Sequence, residues 1–306
     1  METGSLHVPV MVREVAQALR AEQGGWFVDC TLGLGGHTRA ILESAPGARV
    51  LGVDRDGAAL DLARQFLLPF GDRFRAVRAN FKDIQAWQAR LPEPPRGILA
   101  DLGMSTYQLK SGRGFSFSDE SALDMRMDPD SGICAKDFLN EAPREEISRV
   151  LREYGEEPFA RRIAQTIVES RPVENAAALA RIVEHAVPNR FHGRVHPATR
   201  TFQALRIHLN GELEGLGEFV REAVGLLCVG GRIAVLAYHS LEDRIVKQTF
   251  AALAKGCVCP PRLPFCACGR TPDLALVTRK AGRAPAEETA RNNASRSARL
   301  RVGERL

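Results

Sequence analysis

The stretch Phe27-Val-Asp-Cys-Thr-Leu-Gly-Leu-Gly-Gly-His37, followed by Val50-Leu-Gly-Val-Asp54, constrains this chain more than any other. A short apolar run ends in a glycine-rich turn. A helix-like segment, Thr38 to Glu43, comes next, and a second apolar run ends in an acid. This is the layout of a nucleoside-cofactor site on a doubly wound, mostly parallel α/β sheet. Glycines let the backbone come close to a ligand. An acid at the tip of the second strand can accept hydrogen bonds from two ribose hydroxyls.

The details argue against a dinucleotide. The G-x-G-x-x-G fingerprint requires glycine at position 38, where this chain has Thr38. Asp29 precedes the turn, and an acid there repels a pyrophosphate. It suits a cofactor with positive charge and an amino group, such as S-adenosylmethionine. Asp54 stands at the spacing of a ribose acid.

The apolar runs Trp26–Cys30, Arg49–Asp54, Phe74–Ala79 and Gly97–Leu102 recur at βαβ spacing. After Gly103 the rhythm stops. Residues 104–132 read as a long polar loop, and 134–187 as consecutive helices over Ala135–Tyr154, Glu157–Ser170 and Asn175–Ala186. Asn175 is a candidate N-cap. A long helix over Ala198–Leu227 precedes a fifth strand ending at Ala237, and Leu274–Thr278 reads as one more. The expected division is a discontinuous core, 1–109 and 206–306, around an inserted loop and helical domain, 110–205, that recognises substrate. The end of the chain, 281–306, reads as a polar, Arg-rich tail. From 278 onward it holds eight Lys/Arg against three Glu.

At 306 residues the chain is long enough for two domains. A net charge of +5 permits a polyanionic partner without demanding one. No run of about 20 apolar residues suggests a membrane span, and no secretory signal layout opens the chain, so a cytoplasmic location is expected. Cys257, Cys259, Cys266 and Cys268, four of seven cysteines, form a compact cluster. Tetrathiolate zinc fits them, although C-x-C is tighter than the common C-x-x-C knuckle; reduced thiols in a Pro-rich loop are the alternative.

Several further groups can carry chemistry. Asp101 ends the fourth strand, where open α/β sheets bind ligands, and Gln108 follows it with both a donor and an acceptor. Phe81, after the third strand, can lie against an adenine ring. Arg113, Phe115, Phe117 and Arg126 combine guanidinium groups with aromatic faces, a set suited to an unstacked base and its phosphates. Arg190, Arg194 and Arg200 can fork onto phosphate. His239 sits at the end of the fifth strand, and Ser240 with Glu242 or Asp243 is expected to cap the helix that follows.

Taken in order, these strings resemble the bacterial 16S ribosomal RNA cytosine-N4 methyltransferase family over nearly the whole chain. The resemblance rests on His7-Val-Pro-Val-Met11, Thr31–Thr38, Asp101-Leu-Gly-Met-Ser105, Arg113–Phe117, Leu123–Asp128, His196–Arg206, His239–Asp243 and Ser297–Arg301. It implies a class I, Rossmann-like methyltransferase core with a helical insertion. It implies S-adenosylmethionine contacts at Gly35, Gly36, His37, Asp54, Phe81, Asp101 and Gln108, with Asp101 the candidate catalytic residue. Arg113, Phe115, Phe117, Arg126, Arg194, Arg200 and His239 are then candidate RNA contacts. The implied partner is 16S rRNA or the small ribosomal subunit, with no membrane; the resemblance leaves a homodimer open. Leu32, Leu34 and the Ser-Thr-Tyr after Met104 depart from the family pattern. Two rivals stand beside this reading: a methyltransferase acting on another nucleic acid or a small molecule, and a non-catalytic RNA-binding assembly factor that retains the cofactor fold.

Overall fold

The computed structural model describes residues 9–103, 112–117, 119–120, 123–130, 132–193, 195–257, 259–260, 265 and 267–306. The chain forms two compact units, Met1–Gly103 with Gly215–Leu306, and Met104–Glu214. The sequence division at 109/110 and 205/206 is thus shifted to 103/104 and 214/215.

The first unit is a seven-stranded sheet in the order β3-β2-β1-β4-β5-β7-β6. Its strands are β1 (Gly25–Asp29), β2 (Ala48–Asp54), β3 (Phe74–Arg78), β4 (Gly97–Asp101), β5 (Arg232–Ala237), β6 (Leu274–Leu276) and β7 (Arg299–Arg305). β1 to β5 pair in parallel, whereas β7 runs antiparallel to both β5 and β6. The strand order reverses between β1 and β4, which makes their carboxyl ends the topological switch point. This is the class I Rossmann-like arrangement expected from the sequence.

The pleat's period of two sorts the core onto two faces. Trp26, Val28, Ile98, Ile233 and Val235 share a cluster with Phe219 and Val220 of one helix (Leu216–Leu226) and Val246 and Phe250 of another (Ser240–Leu253). Phe27, Val50, Leu99, Ala234, Leu300 and Val302 pack instead with Val15, Ile41 and Leu60. These come from α1 (Val12–Ala18), α2 (Gly36–Ser44) and α3 (Gly57–Phe66). Strands covered on both faces read as nearly continuous apolar runs, which is why β1, β2, β4 and β5 are legible in sequence, whereas β3 at the sheet edge is only half-buried.

Two expectations fail here. The Arg-rich tail is not a free arm: its last residues form β7, beside the central parallel strands. Leu300 and Val302 face the core, while Arg299 and Arg301 point to the other side and grip Asp243. Arg301 Nε donates to Asp243 Oδ1 at 2.6 Å, and Arg299 Nη1 to Oδ2 at 2.9 Å. Arg305 donates to the Leu227 carbonyl. The second failure is the helix over Ala198–Leu227, which is two helices, Thr199–Asn210 and Leu216–Leu226. Gly211 (φ 55°) and Gly215 (φ 68°) take left-handed conformations that end the first and begin the second.

The second unit packs helices Ala135–Glu141, Arg144–Gly155, Ala160–Glu169, Ala176–Ala186 and Thr199–Asn210 around Leu139, Ile147, Leu151, Ile163, Leu179 and Leu205. The helix expected over Ala135–Tyr154 breaks at Pro143, which has no N–H to continue the ladder. Asn175 caps its helix, with Oδ1 accepting from the Ala178 amide at 2.8 Å. Among the described residues, no helix is long and apolar enough to cross a membrane.

Burial by itself would lift the Asp243 carboxyl, but the hydrogen bonds and charges of Arg301 and Arg299 outweigh it and hold the group below its ordinary value. Its charge therefore stabilises the fold above about pH 4, and that stability is lost as pH falls through the lowered value. Asp243→Asn should cost about 3 kcal/mol at neutral pH. In urea melts repeated down the pH scale, the gap from the native chain should narrow below pH ~4.

Candidate active site at the switch point

The turn after β1 is fixed by Asp29, which is 1% exposed. Its Oδ2 accepts from the Thr38 hydroxyl at 2.7 Å and its Oδ1 from the Thr31 amide at 3.2 Å. The Thr31 hydroxyl in turn accepts from the Asp101 amide at 2.7 Å. Burial raises the Asp29 carboxyl above its ordinary value, against the His37 charge and these hydrogen bonds. Asp29 is thus an internal tie for the turn.

The turn closes through Gly35 (φ 84°), where a Cβ would collide with the Leu67 side chain. A Cβ on Gly36 would strike Pro9 instead, so that glycine answers to packing of the N-terminal segment. Across the turn, Asp54 Oδ2 accepts from the Gly33 amide at 2.8 Å, and Oδ1 from the Asp56 amide at 2.9 Å. Burial raises the Asp54 carboxyl despite these bonds. Both oxygens keep further lone pairs, as a ribose acid needs.

Asp101 ends β4, one strand from the turn. Its Oδ1 accepts from the Gly103 amide at 3.3 Å, and its Oδ2 stands 3.3 Å from His37 Nε2. Tyr238 also adjoins it; burial, the Asp101 charge and hydrogen bonding toward that carboxyl push the phenol far above its ordinary range. Gly103 makes room for the Tyr238 ring, which a Cβ there would meet at 2.5 Å. Tyr238 was missed in the sequence. Its signal was position: the residue after β5, beside β4 in a register that pairs Asp101 with Leu236.

His37 is buried, and among the described residues neither ring nitrogen has a hydrogen-bond partner; Nε2 makes only the 3.3 Å ion-pair contact with Asp101. Desolvation opposes its charge, but the adjoining Asp101 carboxylate and the charges of Asp29 and Glu288 win and raise its pKa. Glu288, which the sequence gave no reason to select, also accepts from the Met11 amide at 2.8 Å. Phe81 is half-buried, edge-on to Phe219 with centroids 4.8 Å apart. Gln108 lies outside the described residues.

Near the end of β5, a cavity of about 280 Å³ is lined by Tyr238, His239, Arg283, Arg296, Ser297 and Arg299. His239 itself, and not Ser240, is the cap of the following helix. Its Nδ1 takes the Glu242 amide, while Glu242 accepts from the His239 backbone in return. Arg283 and Arg296 were read only as part of a diffuse basic tail.

In the helical unit, several candidate RNA contacts have internal roles. Phe115 is buried in the core. Phe117 stacks on His196 with centroids 4.6 Å apart and packs edge-on to Phe202. Arg126 forks onto Asp124 at 2.6 and 2.9 Å. Arg113 donates to the Arg126 and Met127 carbonyls, and Asn210 bonds Met125 and Met127. Arg200 reaches the Glu156 carbonyl at 3.4 Å from an exposed position. Arg194 lies outside the described residues. Cys257, Cys259 and Cys268 come together between the helix Ser240–Leu253 and β6, and Cys266 lies outside the described residues.

A glycine turn, the acid that ends β2 and the aspartate that ends β4 thus lie together at the carboxyl ends of neighbouring parallel strands. The model of the MraW methylase family matches residues 4–306. The chain belongs to that family. It is 48% identical over 303 residues to the ribosomal RNA small subunit methyltransferase H of Dehalococcoides mccartyi strain BAV1, covering 98% of this chain and 86% of that protein. A protein of the same name from Syntrophotalea carbinolica is 48% identical over 307 residues, with 98% of both chains covered. An rRNA methylase from Streptococcus thermophilus, of known structure, aligns over 100% and 99% of the two chains at 11% identity. Its TM-score of 0.40 is too low to carry weight.

Protonated His37 adds stability that is complete below the ordinary histidine value of about 6.5 and is lost as pH rises through the raised one. An NMR titration of this MraW-family protein should place the His37 midpoint above 6.5, and Asp101→Asn should bring it down. An unmoved midpoint in that variant contradicts the coupling.

Proposed function

We propose that this protein methylates 16S ribosomal RNA with S-adenosylmethionine, at the exocyclic N4 amine of one cytosine in the decoding region. The observation that carries the reading is the convergence of the Gly33–Gly36 turn, Asp54 and Asp101 at the switch point of a MraW-family chain. The names of the relatives support the RNA substrate. The full run of strings from Thr31 to Arg301 supports the cytosine position.

The described residues fit the cofactor. The Gly33–Gly35 turn leaves room for it, Asp54 offers lone pairs to a ribose diol, and the buried His37 Nδ1, which has no partner among the described residues, is a polar atom a ligand can bond. Phe81 offers a ring edge for adenine. Bound there, S-adenosylmethionine would supply an electrophilic methyl group on a sulfonium. Cytosine N4 is a poor nucleophile because its lone pair is delocalised into the ring. The protein must therefore align that lone pair with the methyl carbon and give the amine hydrogens an acceptor. We assign the acceptor to Asp101, whose direction is set by Gly103, His37 and Tyr238. The target base must leave its stack to reach it. Arg283 and Arg296 in the cavity, with Arg200 on the helical unit, are assigned to backbone phosphates. Arg113, Phe115, Phe117 and Arg126 then act by shaping the 112–130 loop.

Labelled S-adenosylmethionine and small subunits lacking the modification provide the test, with nucleotide mapping of the product. One N4-methylated decoding-region cytosine is expected. Transfer only to another nucleic acid, or no transfer by a chain that binds the cofactor, favours the rival readings. Asp101→Ala should lower kcat by about 10²-fold or more while the sheet stays folded by circular dichroism. Arg296→Ala should weaken RNA binding and reduce its log–log salt slope by about one, leaving cofactor affinity unchanged.

A further inference from the structure

Three cysteines that the methyl-transfer chemistry leaves unused lie within one sphere. The sulfurs of Cys257, Cys259 and Cys268 are all within 4.8 Å of one another, and Cys257 and Cys268 are 3.8 Å apart. A disulfide needs sulfurs about 2.05 Å apart. Two thiolates on a tetrahedral zinc, each at ~2.3 Å, stand about 3.8 Å apart. The Ala267 amide points at Cys259 Sγ at 3.4 Å, a donor placed where a metal-bound thiolate accepts. Gly269, left-handed at φ 59°, lets the chain turn directly after Cys268.

Hydrophobic burial does not explain the cluster. Cysteine is among the most buried residue types, yet Cys257 and Cys268 are exposed. The segment that carries them, 254–273, joins the helix Ser240–Leu253 to β6 and has no helix or strand among its described residues. It exceeds the ~12–15 residues beyond which such connections are uncommon. Among its described residues the large apolar side chain, Phe265, is 84% exposed. Small regions without a core are commonly held by a metal or a disulfide.

We propose that Cys257, Cys259 and Cys268 bind a structural zinc ion that ties the chain leaving the helix Ser240–Leu253 to the chain entering β6. The site is separate from Asp54 and Asp101 in its residues and stands whether or not the methylation reading does.

The test is elemental analysis of the full-length chain, purified with reductant and without added chelator. About one zinc per chain is expected. It should fall to background in Cys257→Ser and in Cys268→Ser, each checked for native circular dichroism. Should those variants fail to fold, cobalt exchanged into the native chain supplies a second reading. Thiolate-to-cobalt charge-transfer absorption supports the site, and its absence overturns it. Stripping the native protein with a strong chelator should open 254–273 to limited proteolysis while the sheet amides stay protected from exchange. A native chain that neither carries zinc nor takes it up from a zinc buffer refutes the proposal, as does full zinc content in both serine variants.

Discussion

Everything at the switch point depends on how one buried carboxylate is satisfied. An isolated charge in the interior costs several kcal/mol unless its oxygens are bonded. Asp29 meets that demand with the Thr38 hydroxyl and the Thr31 amide. Thr31 then passes the connection on by accepting from the Asp101 amide. One polar chain therefore ties the end of β1, the first turn of α2 and the end of β4. The glycine turn and Asp101 cannot shift independently, because moving either leaves a buried polar atom without its partner.

The sheet's other half is fixed by a second charge arrangement. β7 brings arginines against the helix Ser240–Leu253, where Asp243 receives both Arg299 and Arg301. At the opposite end of the β5–β7 pair, Arg232 and Glu304 sit in register and bond at 2.9 Å. The basic character of the chain's end is thus divided. Part of it is neutralised inside the fold, and part, at Arg283 and Arg296, lines the cavity beside Tyr238.

That division explains what the sequence made legible. Asp54 and Asp101 could be found because each ends an apolar strand, and Gly33 and Gly35 because they fill the short turn between such a strand and the next helix, so local pattern and chemistry coincide. β7 could not, because its alternation is short and its second face carries Arg299 and Arg301, which find their partner 56 to 58 residues away at Asp243. Tyr238 and Glu288 were hidden for a related reason: they reach Asp101 and His37 only through strand register and the return of the chain's end. Phe115, Phe117 and Arg126 misled in the opposite sense. Aromatic rings and guanidinium groups in a long loop carry the same signature whether they await RNA or pack the loop on itself. Contacts such as Phe117 on His196 and Arg126 on Asp124 separate the two.

The way Asp101 is held bears on what it can contribute. A carboxylate on a free side chain samples several orientations, and a misplacement of about 1 Å can cost ~10²-fold in rate. Here Gly103 from the backbone, His37 from α2 and Tyr238 from the end of β5 approach the same group from three directions. Each partner is itself placed: His37 by the Asp29 turn, Tyr238 by the β4–β5 register, and Gly103 by the space it leaves for the tyrosine ring. For a neutral amine whose lone pair must be turned out of conjugation, an acceptor of fixed direction matters more than a strong base. On the proposed reading, the rigid sheet end does the chemical work by leaving the incoming nitrogen one productive orientation.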